Sequence, residues 1–144
     1  MLKPSPGGMP PARLGHSDGV TTSSAADEGH RRATELVRLL DSGDTEADRL
    51  LAELTEIREL VFLGAALTSL ARTEARPLPP AQRAQANTRQ MHLGLLRDAS
   101  RTDPDELRTW VRRAAEEVLF LRSLQAVAAA RVAADAAPLP RSGA

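Results

Sequence analysis

The chain has 144 residues, enough for one domain with its own core, and 42% of them are apolar but only 2% aromatic. Nineteen basic and nineteen acidic residues leave no net charge, and cysteine is absent. Disulfides, thiolate metal sites and cysteine nucleophiles are therefore excluded, and a core of Leu, Ala and Val favours helices over sheet.

Residues 1–26 are rich in Pro, Gly, Ser and Thr, with Pro4, Pro6, Gly7, Gly8, Pro10 and Pro11 leading. So little apolar surface cannot offset the entropy of ordering, and a disordered N-terminal tail is expected. Lys3 is followed by no apolar run of the secretory kind, so the default location is cytoplasmic. The first helix is predicted from about Ala25 to Leu40. Its stripe is Ala33, Leu36, Val37 and Leu40, and Gly43 stands where a helix-ending glycine belongs.

Asp44 then suits the cap of a second, long helix that runs to the Arg76-Pro77-Leu78-Pro79-Pro80 stop. Leu50, Leu54, Ile57 and Val61 form its first stripe, and Leu60, Leu63, Leu67 and Leu70 a second. Apolar nearly all round, its centre must be covered on several sides. The run from Leu60 to Ala71 is too short for the ~20 residues of a membrane span.

A third helix is predicted over Pro80–Ser100, with Ala84, Thr88, Met91, Leu95 and Ala99 as its buried stripe. Asp103-Pro104-Asp105-Glu106 opens the fourth: a cap, a proline where its missing N–H costs nothing, and two acids at the positive end of the helix dipole. This helix carries Leu107, Val111, Ala114, Val118 and Leu121, widened by Trp110, Phe120, Leu124 and Val127, to about Ala136. A shift of 57 aligns Leu50, Leu54, Ile57 and Val61 with Leu107, Val111, Ala114 and Val118, the mark of a weak internal repeat. The expected fold is all-α: a four-helix bundle of two antiparallel helical hairpins over 27–137, with a frayed C-terminus over 138–144.

Chemistry is sparse. His16, His30 and His92 are the only histidines, and His92 reads as a partly buried structural residue. No Glu-x-x-His pair of the di-iron kind occurs, and no phosphate-binding glycine loop. Glu53, Glu56 and Glu59, like Glu116 and Glu117, read as exposed, ion-paired faces. No catalytic residue, metal or cofactor is expected.

Segmental charge is uneven. Asp27–Glu56 holds nine acids and four arginines, whereas Arg76–Arg101 holds five arginines and one aspartate. The simplest expectation is that the two segments face each other within the bundle. The expected function is non-catalytic protein–protein interaction, as an adaptor, assembly factor or small regulatory partner. Leu60, Leu63, Leu67 and Leu70 are the candidate partner-binding residues, and a homodimer through paired long helices is one arrangement. The alternative is a nucleic-acid-associated regulator using Arg83, Arg89, Arg97 and Arg101. It is the weaker, given zero net charge and a single lysine.

Overall fold

The computed structural model describes the backbone of residues 9–43 and 45–136, and the side chains of 24, 26–43 and 45–136. Five helices account for nearly all of it: α1 (Met9–Asp41), α2 (Glu46–Glu53), α3 (Ile57–Ala75), α4 (Pro80–Ala99) and α5 (Pro104–Ala136). The described chain is all-helical. None of its helices is long and apolar enough to cross a membrane.

Of the expected tail, residues 1–8 lie outside the described residues, and the backbone from Met9 onward is the N-terminal part of α1. The first described side-chain position of α1 to be buried is Gly29. Packing thus begins where the apolar stripe begins: Ala33, Leu36 and Val37 are buried as predicted, and Leu40 packs against the core from its edge. Gly43 adopts φ +72°, the left-handed conformation of a helix C-terminus, and its N–H donates to Leu40 O at 3.1 Å. Asp44 and the C-terminal residues 137–144 lie outside the described residues.

The predicted second helix is two helices. Leu54 (φ −87°, ψ 101°) and Glu56 (φ −90°, ψ 134°) are extended, which separates α2 from α3. Side-chain placement explains the break. The buried residues of α2 and its cap are Ala47, Leu51 and Leu54; those of α3 are Leu60, Leu63, Gly64, Leu67 and Ala71. On one continuous helix the two sets would point about 150° apart around the axis. A single rod could not aim both at one core, and the bend does. Arg108 of α5 bridges the break: its Nε–H donates to Leu54 O and to Leu51 O, which also accepts from Leu54 N–H, each Arg108 contact being 3.1 Å. As a result Ile57 and Val61, expected in the buried stripe, are 39% and 41% exposed. Their repeat counterparts Ala114 and Val118 are buried, so burial does not follow the proposed repeat.

α1, α3 and α5 pack mutually and enclose the core; α2 lies on α1, and α4 lies against α5 and the edge of α3. The Arg32–Glu59 ion pair and the approach of Gly29 to Phe62 O set α1 antiparallel to α3. Gly64–Trp110 and Glu74–Arg122 set α3 in the same direction as α5. At the centre, Trp110 lies flush on α3 because Gly64 has no side chain: a Cβ there would stand 2.7 Å from Cζ2 and closer still to Cζ3 and Cη2. Leu107, Val111, Ala114, Val118 and Leu121 complete the α5 face as predicted, whereas Phe120 and Val127 are exposed. Asp103 caps α5, its Oδ1 accepting from Asp105 N–H at 3.0 Å. Between α3 and α4, Leu78 is buried and anchors the proline turn, so the segment does not present its leucine as a polyproline ligand would.

Candidate functional site: the α4 face and the α4–α5 cleft

α4 is the helix whose orientation departs from its pattern. The predicted stripe of Ala84, Thr88, Met91, Leu95 and Ala99 is exposed throughout, Met91 at 70% and Leu95 at 67%. The docked face is instead Gln82, Ala86, Arg89, Gln90, Leu93, Leu96 and, at the C-cap, Ser100. The two faces lie about 150° apart around the helix.

An ion pair on α5 accounts for the choice. Arg89 Nε donates to Glu117 Oε1 at 2.8 Å and Oε2 at 3.0 Å, and Glu117 is only 7% exposed. The same guanidinium lies over the Phe120 ring, 4.7 Å from its centroid. Turning the apolar stripe inward would remove Arg89 and strand the Glu117 carboxylate, a larger loss than leaving two thioether- and leucine-sized groups in water. Ser100 is buried beside this face, its hydroxyl donating to Leu96 O at 2.7 Å. The fit is imperfect: Gln82 Oε1, Arg89 Nη2 and Gln90 Nε2 are buried without a protein hydrogen-bond partner.

Sequence reasoning placed Glu117 on an exposed face with Glu116. Only Glu116 is there, paired with Arg112. His92 is likewise exposed rather than structural. Together with Arg89, Leu93, Leu96, Arg113 and Glu117 it lines a cleft of about 220 Å³ between α4 and α5. The signal that could have exposed the inversion is Arg89 itself, at helical spacing from Gln82, Ala86, Leu93 and Leu96 on the docked face.

The other predicted site residues are dispersed. Leu60, Leu63 and Leu67 are fully buried inside the monomer and Leu70 packs at the core edge, so their apolar surface is already covered by α1 and α5. Among the four arginines, Arg89 is held by Glu117 and Arg97 by its neighbour Asp98, while Arg83 and Arg101 are exposed with no ion pair among the described residues. No described ion pair joins the acidic Asp27–Glu56 segment to the arginines of 76–101. Asp48 reaches Arg112 on α5 instead, and the remaining pairs of that segment stay local or reach Glu59. Among the described residues the expected internal neutralisation is not seen, since α4 packs mainly on α5 and the edge of α3.

No protein-family model matches this chain. Neither does any curated protein or solved structure. Among the described residues no three His, Asp or Glu side chains are grouped to hold a metal ion. Among the described residues, Arg32 and Glu35 on α1 titrate away from their ordinary values. The hydrogen bond to Glu59 raises the Arg32 guanidinium above its ordinary value, and the hydrogen bond from Arg38 holds the Glu35 carboxyl below the usual range. Both belong to ion pairs along helix surfaces.

Proposed function

We propose that this chain is a non-catalytic protein–protein interaction module, an adaptor, assembly factor or small regulatory partner, acting through the outward face of α4. In this reading the helices form a four-helix bundle of two antiparallel hairpins, α1 with the interrupted α2–α3 and α4 with α5. The observation that carries it is the inversion of α4, polar groups inward and Met91 and Leu95 outward. An apolar stripe on a helix that its own fold leaves uncovered gains most from a second protein.

The interface differs from the one the sequence pattern suggests, since Leu60, Leu63 and Leu67 serve the monomer's core. The test is affinity capture of the full chain from its native cells after nuclease treatment, beside a Met91→Glu/Leu95→Glu variant. A stoichiometric protein held by the wild type and lost by the variant supports the reading. Recovery of the bare chain alone would overturn it.

Arg83 and Arg101, exposed and without an ion pair among the described residues, favour nucleic acid as a second reading. Its mark is affinity that collapses with salt and survives the Met91 and Leu95 changes.

A further inference from the structure

We infer that the side of α4 turned toward α3, with the facing side of α3, forms a basic surface for the phosphate backbone of double-stranded nucleic acid. The inference rests on the second of the two readings above and names its surface and the form of its ligand. It does not involve the Met91 and Leu95 stripe.

Contacts and helical phase place the arginines together. Arg97, Asp98 and Arg101 line a hollow of about 380 Å³ with Val61 and Leu107, so theirs is the side of α4 that faces α3. Arg83 stands about five turns before Arg101, at the same angle around the helix. On α3, Arg72 lies within about 20° of Val61 around the axis, and Arg76 follows about one turn later. Arg72, Arg76 and Arg83 thus flank the proline turn at one end of the surface, while Arg97 and Arg101 occupy the other. All five are exposed.

Charge is segregated here although the whole chain is neutral. The acids of 57–101 are Glu59, Glu74 and Asp98. Glu59 is taken up by Arg32 of α1 and Glu74 by Arg122 of α5, both away from this surface. Asp98 pairs with Arg97, whereas Arg72, Arg76, Arg83 and Arg101 hold no ion pair among the described residues. Guanidinium groups without a carboxylate suit phosphate oxygens, which they can bind through two N–H groups at once.

The ground between the arginines selects the ligand. Ala65, Thr68 and Gly94 are small, and the face from Arg83 to Arg101 runs straight for about 27 Å, the length of about eight base pairs. No aromatic ring stands there to stack the bases of a single strand: Trp110 is buried, Phe62 lies beneath Arg58 and Phe120 beneath Arg89. Apolar groups are confined to Ile57 and Val61 at one end, too few to seat the side chains of an acidic peptide or to enter a bilayer. Contacts of this kind hold phosphates and carry no sequence preference.

Titration of the purified full chain with a labelled duplex of about 16 base pairs, twice the length of the surface, tests this. Log affinity should fall against log salt with a slope of about −4. Arg72→Gln/Arg83→Gln should bind at least about tenfold more weakly and lose about 2 from that slope. Arg113→Gln/Arg131→Gln removes the same charge from exposed positions on α5 and should bind within about twofold of wild type at moderate salt. Circular dichroism checks that each variant is folded. A single strand, a polyglutamate peptide or phosphatidylserine vesicles bound as tightly as the duplex would overturn the inference. Equal losses in the two variants would remove this surface and leave the nucleic-acid reading, whereas no binding of any nucleic acid at low salt would remove both. The protein-partner reading is decided separately by native-cell capture, where Arg72→Gln/Arg83→Gln should keep a partner held through Met91 and Leu95.

Discussion

Arg89 of α4 and Glu117 of α5 are joined through one Nε–H that serves both carboxylate oxygens, at 2.8 and 3.0 Å, and this pair holds the polar side of α4 against the bundle. The apolar side is turned to solvent as the consequence. A third of the Arg89 side chain remains accessible while Glu117 is almost wholly enclosed, so the two partners are not equivalent. Removing the arginine strands a buried anion; removing the glutamate leaves a cation that water can still reach.

Arg89→Ala should therefore destabilise the fold by about 1–3 kcal/mol, and by more than Glu117→Gln does. Replacing both together with Met and Leu should recover most of the loss, because an apolar pair has no charge to desolvate. Urea unfolding followed by the fluorescence of Trp110, the sole tryptophan, measures all three.

Two glycines in helices should respond to alanine with opposite signs. A methyl added at Gly94 would meet nothing within 4 Å, so Gly94→Ala should stabilise by about 0.5–1 kcal/mol through helix propensity alone. Gly64→Ala would drive a methyl into the Trp110 ring and should cost about 1–3 kcal/mol despite the same propensity gain. Thermal unfolding of the pair decides it.

Arg108→Met keeps the alkyl stem but withdraws the donor from Leu51 O and Leu54 O. It should cost about 1–3 kcal/mol and should loosen α2 before the rest of the chain. Amide exchange localises this: residues 46–56 should lose protection while α5 keeps it.

Leu67→Ala should cost about 2–5 kcal/mol as a core truncation, and Leu95→Glu should stay within about 0.5 kcal/mol of wild type. Equal losses at both positions would mean that α4 does not present Leu95 to solvent. Chemical denaturation of the two variants side by side gives the comparison.

Much of the fold was legible in the sequence. Gly43, the proline turn around Leu78 and the Asp103-Pro104 start are local signals whose physics needs no distant partner, and all three fall at helix ends in the structure. The buried stripes of α1 and α5 followed from periodicity, since each helix has one strongly apolar side. Periodicity failed where a helix had two answers. Across Asp44–Glu74 it found two stripes and read one rod, because the extended residues at Leu54 and Glu56 depend on Arg108, more than fifty positions away. In α4 it chose the more apolar side, although a buried glutamate on α5 outweighs two exposed apolar groups. The outward stripe was hidden for the same reason: Met91 and Leu95 were named, but as core.

The most direct test of the outward-facing stripe is the NMR spectrum of the full chain labelled with ¹³C at the methionine methyls, recorded with a soluble paramagnetic agent. Met91 is assigned by its loss in Met91→Leu. The account predicts that the Met91 methyl broadens as an exposed group does while the Trp110 indole signal stays sharp. A Met91 methyl as protected as Trp110 would contradict it, because the stripe would then be covered by the chain itself or by a second copy.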